Sequence, residues 1–146
     1  MENNEINTSL NLLLANYHIH YQRARAFHWN IKGPKFFELH LKFEELYTDA
    51  LTKIDEIAER ILSLGGLPLD SLKTYLEKAE LKEIENKISD RDMIQHLLND
   101  FTTLVGKEKE LMKLATEHSD ERTADIMNGY IAAQEKTIWM LKAWLG

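Results

Sequence analysis

Proline, the residue least compatible with a helix interior, occurs only at positions 34 and 68 of this 146-residue chain. It lacks a backbone donor and clashes with the preceding turn, so two prolines leave long stretches free to coil. Glycines gather at the same breaks, at 33, 65 and 66. Between the breaks the chain is rich in Leu, Glu, Lys, Ala and Ile, all acceptable or good helix formers. A first helix is predicted from about Ile6 to Ile31 and a second from about Lys35 to Leu64, which stops at Gly65-Gly66. Asp70 and Ser71 are placed to cap a short helix, Leu72 to Glu77. A third long helix begins near Ser89, where Ser89-Asp90-Arg91-Asp92 resembles a capping box, and ends around His118-Ser119-Asp120. A fourth runs from about Glu121 to Leu145, with Gly129 as an internal soft spot. No strand-like alternation, repeat or low-complexity segment occurs.

Tight turns within the first and last pairs make each pair antiparallel. The connection from about residue 65 to 88 is long enough to cross the bundle. The expected fold is therefore all-α: a ferritin-like four-helix bundle, with a short extra helix in the long crossover between helices two and three. One domain over residues 1–146 accommodates it.

The formal net charge of −6 argues against nucleic acid as the main partner, which calls for a basic footprint. The absence of cysteine removes thiolate metal sites and thiol chemistry. The N-terminus, MENNEINTSL, has neither the basic region nor the apolar run of a signal peptide, and no apolar stretch reaches the roughly 20 residues of a membrane span. A cytoplasmic protein is expected.

Within the largely helical stretch of residues 28–60, two histidines and three of the seven carboxylates stand out: His28, His40, Glu44, Asp55 and Glu59. Imidazole with carboxylate suits iron or zinc better than a packed core. Projected at about 100° per residue, the second helix shows three stripes. Leu39, Phe43, Leu46, Ala50, Ile54, Ile57, Ile61 and Leu64 form the core arc. His40, Glu44, Asp55 and Glu59 form a second arc beside it, shared with Leu51 and Leu62. Glu38, Glu45, Asp49 and Glu56 make a narrow acidic third. A solvated face with salt bridges is the bland alternative for the second arc, but acids, histidine and leucine together are more natural at an interface.

Length bears on assembly. At about 1.5 Å per residue, Glu44 and Asp55 lie about 16 Å apart along the helix, and His40 and Glu59 roughly 30 Å apart. Metal bonds to nitrogen and oxygen are only about 2 Å long. If the five residues form one kind of site, two antiparallel copies must supply it: His28, His40 and Glu44 from one, Asp55 and Glu59 from its mate. A two-fold dimer would then hold two equivalent sites. The competing geometry is two separate weak sites per chain.

At these residues the chain resembles the Dps family, the mini-ferritins named for DNA-binding proteins of starved cells. The resemblance spans essentially the whole chain, including the IWML segment at Ile138–Leu141. Its most specific part is H-W, then L-H-x3-E, then D-x3-E-R, matched by His28-Trp29, Leu39-His40, Glu44, Asp55 and Glu59-Arg60. The resemblance implies an iron-storage protein with a ferroxidase centre at a two-fold interface. There His28, His40 and Glu44 face Asp55 and Glu59 of the partner and hold two irons, with hydrogen peroxide as oxidant. It further implies a dodecameric shell storing ferric mineral. Many members carry aspartate where this chain has Glu44, and the longer arm alters that carboxylate's reach. The chain lacks the E-x-x-H motif of larger di-iron bundles and the H-E-x-x-H motif of zinc peptidases.

Other residues carry weaker expectations. Trp29 is either a quencher of stray oxidising equivalents or a core or interface aromatic. The acidic third stripe is either a mineral-nucleating surface or a plain solvated face. Asp120, Glu121 and Asp125 are candidates for lining an inlet pore, although acids at helix N-termini also serve the dipole. His18, His20, His96 and His118 read as structural or surface residues, and Trp139, Met140 and Trp144 as core or subunit contact. Some family members bind DNA through Lys-rich tails, but here the first Lys or Arg is Arg23, so no tail-based mechanism is expected. The alternative function is a metal-binding or DNA-associated structural shell without turnover.

Overall fold

The computed structural model describes residues 2–85 and 88–146. Five helices follow in order: α1 (Glu2–Asn30), α2 (Phe36–Ser63), α3 (Leu72–Lys78), α4 (Asp90–Glu117) and α5 (Glu121–Leu145). Among the described residues there is no strand. α1 pairs with α2 and α4 with α5 as two hairpins, and α1 also packs against α4 and α3. This is the ferritin-like bundle with a short helix in the crossover. No helix among the described residues is long and apolar enough to cross a membrane.

The expected breaks end the helices. Gly33, at φ 107, opens the α1–α2 turn, and the Phe36 amide donates back to the Gly33 carbonyl at 3.1 Å. Gly65, at φ 82, takes the left-handed conformation that closes α2, and the Gly66 amide returns to the Ile61 carbonyl at 2.9 Å. Ser71, Ser89 and Asp120 cap α3, α4 and α5, accepting from the amides of Thr74, Asp92 and Thr123. α1 begins four residues before the expected Ile6, because nothing in that stretch forbids a helix. Gly129 does not interrupt α5.

The expected core arc of α2 is buried from Leu39 to Ile61, with Leu64 only half-buried at the helix end. Phe43 meets Phe27 of α1 at 5.9 Å between ring centres, and Leu97, Phe101 and Leu104 of α4 join the same core. The crossover is tied to α1 by side chains rather than by apolar packing alone. Asn11 donates to the Leu67 carbonyl and accepts from the Leu69 amide, while Asn16 accepts from the amides of Glu80 and Leu81. Arg23 donates to the Lys82 carbonyl. These bonds satisfy strap backbone groups that would otherwise lack helical partners.

Candidate metal centre

His28 lies in the last turn of α1 and His40 in the second turn of α2, so the short turn between the helices sets them side by side. Their rings stack at 3.7 Å with an interplanar angle of 14°. His28 Nδ1 is 2.7 Å from the His40 carbonyl, and His40 Nδ1 is 2.7 Å from the His28 carbonyl. A carbonyl only accepts, so each Nδ1 carries a hydrogen and donates it. Nε2 is then the nitrogen left on each ring to hold a metal, with its orientation set by the other nitrogen.

Glu44 Oε1 lies 3.8 Å from His28 Nε2. That is too long for a hydrogen bond, yet one ion with bonds of about 2 Å to each would span it. His28 is buried, whereas the Glu44 side chain is half exposed. Two further rings flank the histidines. Phe36 stacks on His40 at 4.7 Å and 18°, and Tyr47 meets the His28 ring edge-on at 5.3 Å. Neither residue belongs to the H-W, L-H-x3-E, D-x3-E-R pattern, so neither stands out in the sequence; the signal for Phe36 is its position four residues before His40, on the same helix face.

Asp55 and Glu59 are exposed further along α2 and do not join this cluster. Among the described residues of one chain, no group of three or more histidines and acids converges where an ion would sit. Each chain thus presents two partial donor sets, one of His28 from α1 with His40 and Glu44 from α2, the other of Asp55 and Glu59 further along α2. Phe37, Leu41, Leu51 and Leu62 are all exposed and project into the same arc of α2 as the candidate ligands.

The remaining candidates divide clearly. In the acidic stripe, Glu45 pairs with Lys42 at 2.9 Å and Asp49 with Lys53 at 2.5 Å, so part of its charge is neutralised. Asp120 is occupied structurally: it caps α5 and binds Arg60 at 2.8 Å, while Glu121 and Asp125 remain exposed. Burial would raise the Asp120 carboxyl, but the Thr123 hydroxyl and amide and the Arg60 guanidinium together hold it below the usual value. Trp29 and Trp139 are 60% and 64% exposed, which excludes core roles for both. The Arg25 guanidinium sits over the Trp29 ring at 5.1 Å. His20 is structural, 3.1 Å from the buried Asp100 that Arg23 also binds. His18 stacks on Tyr75, and His118 pairs with Glu5 at the surface.

A second polar cluster lies in the bundle interior. Glu108 of α4 is fully buried, bonded to the Tyr17 hydroxyl of α1 and adjoining Gln134 of α5. The Gln134 amide is assigned with its nitrogen 2.6 Å from Glu108 and its oxygen 2.6 Å from the Tyr17 hydroxyl. The reverse orientation would set its oxygen against the carboxyl. Burial pushes the Glu108 carboxyl up to about 8, against the lowering effects of Tyr17 and Lys53.

A family model for the ferritin-like domain matches residues 7–146. The chain is 46% identical over 136 residues to the DNA protection during starvation protein of Brevibacillus brevis, covering 93% of this chain and 91% of that protein. It is 39% identical to DNA protection during starvation protein 2 of Bacillus anthracis, covering 98% of each. Among solved structures, the Dps protein of Vibrio cholerae O1 superposes with a TM-score of 0.97 at 46% identity, covering 99% of this chain and 91% of that one. That protein is described as a member of a broad superfamily of ferritin-like diiron-carboxylate proteins.

Proposed function

The chain belongs to the ferritin-like family, in its Dps branch, and from that premise we propose that it oxidises ferrous iron at a site shared between two subunits. His28, His40 and Glu44 of one chain face Asp55 and Glu59 of an antiparallel copy. The whole chain acts as one Dps domain, twelve copies form a hollow cytoplasmic shell, and the ferric product is stored inside as mineral. The observation that carries this reading is the reciprocal His28–His40 bonding, which commits both Nδ1 atoms to carbonyls and reserves both Nε2 atoms. The exposed apolar residues Phe37, Leu41, Leu51 and Leu62 support burial of the same face against a partner.

Iron is the substrate. Two ferrous ions reduce one hydrogen peroxide: two Fe2+, one H2O2 and two protons give two Fe3+ and two H2O. Delivering both electrons together avoids release of hydroxyl radical, which is the protective value of a paired site. His28 and His40 supply nitrogen ligands. Asp55 and Glu59 supply anionic charge that favours ferric over ferrous iron, and Glu44 completes the second position. The acidic stripe of Glu38, Glu45, Asp49 and Glu56 receives the product on the inner wall.

The test is anaerobic loading with ferrous iron, addition of hydrogen peroxide or air, and measurement of ferric absorbance. Oxidation is expected to be fast, near two irons per peroxide, and lost in Asp55→Ala combined with Glu59→Ala. Oxidation no faster than that of free iron in buffer would refute the enzyme reading and leave a metal-binding or DNA-associated shell.

A further inference from the structure

His40 is restrained on three sides. Its Nδ1 is bonded to the His28 carbonyl, one ring face is covered by His28 at 3.7 Å, and the other is covered by Phe36 at 4.7 Å. The near-parallel angle of 18° makes Phe36 a flat lid on the imidazole rather than an incidental edge contact. Phe36 is itself held: it opens α2, its amide is bonded to Gly33, and its ring meets Phe37 edge-on at 5.4 Å. The preceding Lys35 places its ammonium 4.3 Å from the Trp144 ring centre, fastening the same turn to the end of α5.

We infer that Phe36 is a positioning residue for the metal centre, holding His40 by ring stacking so that its Nε2 is presented in one orientation. The inference rests on the interface-site reading above and deepens it. Phe36 donates nothing to a metal. It closes the imidazole face that water would otherwise reach and resists rotation about the His40 side-chain bonds. Removing such support typically weakens metal binding without removing a ligand.

The test uses Co2+ as the probe, titrated into the assembled protein and followed by its visible absorption, with shell size and thermal unfolding measured on each variant. Phe36→Ala is expected to weaken Co2+ binding about tenfold, and Phe36→Tyr, which keeps the flat ring, to bind like the wild type. Phe36→Leu guards against a variant that fails to assemble. It keeps apolar bulk, so it is expected to assemble normally yet bind Co2+ more weakly than Phe36→Tyr. A shell of Phe36→Ala that binds Co2+ as tightly as wild type would overturn the inference, as would equal affinities for Leu and Tyr. A purely structural role would lower the unfolding temperature and leave Co2+ affinity unchanged. The Asp55→Ala, Glu59→Ala chain is the control for the site: if wild-type Co2+ binding does not depend on those carboxylates, it is the interface reading that fails.

Discussion

A carboxyl group held wholly out of water, as Glu108 is, must find its partners inside the protein. A protonated Glu108 can donate to Tyr17, Tyr17 to the Gln134 oxygen, and the Gln134 nitrogen back to Glu108, a closed ring with no group left over. The folded state therefore holds a proton between the ordinary carboxyl value of 4.5 and about 8 that the unfolded chain releases. This contribution to stability is complete below the unfolded value, declines as the pH rises, and is exhausted above about 8. Glu108→Gln, which cannot ionise, is expected to flatten that decline in thermal unfolding measured from pH 5 to 9. An unchanged pH slope would contradict the assignment. The signal for this residue was present in the sequence, since Glu108 falls in the apolar register of Leu104, Leu111 and Ala115. Its partners were not legible, because they come from α1 and α5. The nearness of His28, His40 and Glu44 was legible, because residue type and spacing carry it, whereas Asp55 and Glu59 stand apart from them within one chain. The histidine lock was not legible: it needs the two backbone carbonyls that only the folded turn brings into reach.

At the scale of the element, α2 bears every candidate ligand except His28 of α1, and each end of it is anchored differently. The His40 end is held by the bond to the His28 carbonyl and by stacking. At the other end Arg60, next to Glu59, donates through Nε to the Thr123 hydroxyl at 2.9 Å and through Nη2 to Asp120 at 2.8 Å. That fork ties α2 to the cap of α5. Arg60→Ala is expected to cost roughly 1.5–3 kcal/mol in chemical denaturation, the range for hydrogen bonds to charged groups. Arg60→Lys is expected to recover little of it, since an ammonium on a flexible stem does not reproduce the planar fork. Full recovery by lysine would show that charge alone matters there. Apart from the start of α1, the helix ends were legible to within about a residue, because Gly33, Gly65 and the capping residues mark them locally. In the acidic turn at residues 120–125 one residue shows a related ambiguity: an acid that caps a helix looks, in sequence, like one available to a cation. Asp120 is committed to Thr123 and Arg60.

For the whole molecule, the decisive length is that of α2. About 16 Å of helix separates Glu44 from Asp55, and no rearrangement of side chains within a straight helix removes it. One chain presents only partial donor sets among its described residues. The central claim is therefore that the site is completed in trans. Two inactive chains test it directly: one with His28→Ala and His40→Ala, the other with Asp55→Ala and Glu59→Ala. The chains are dissociated, mixed in equal amounts, reassembled and assayed for ferrous oxidation by peroxide. Random pairing makes half the dimers mixed, and each mixed dimer has one site with both halves intact, so about a quarter of wild-type activity should return. A mixture as inactive as its two parents, with mixed assembly verified by mass, would contradict a shared site and leave the two clusters of each chain to act separately.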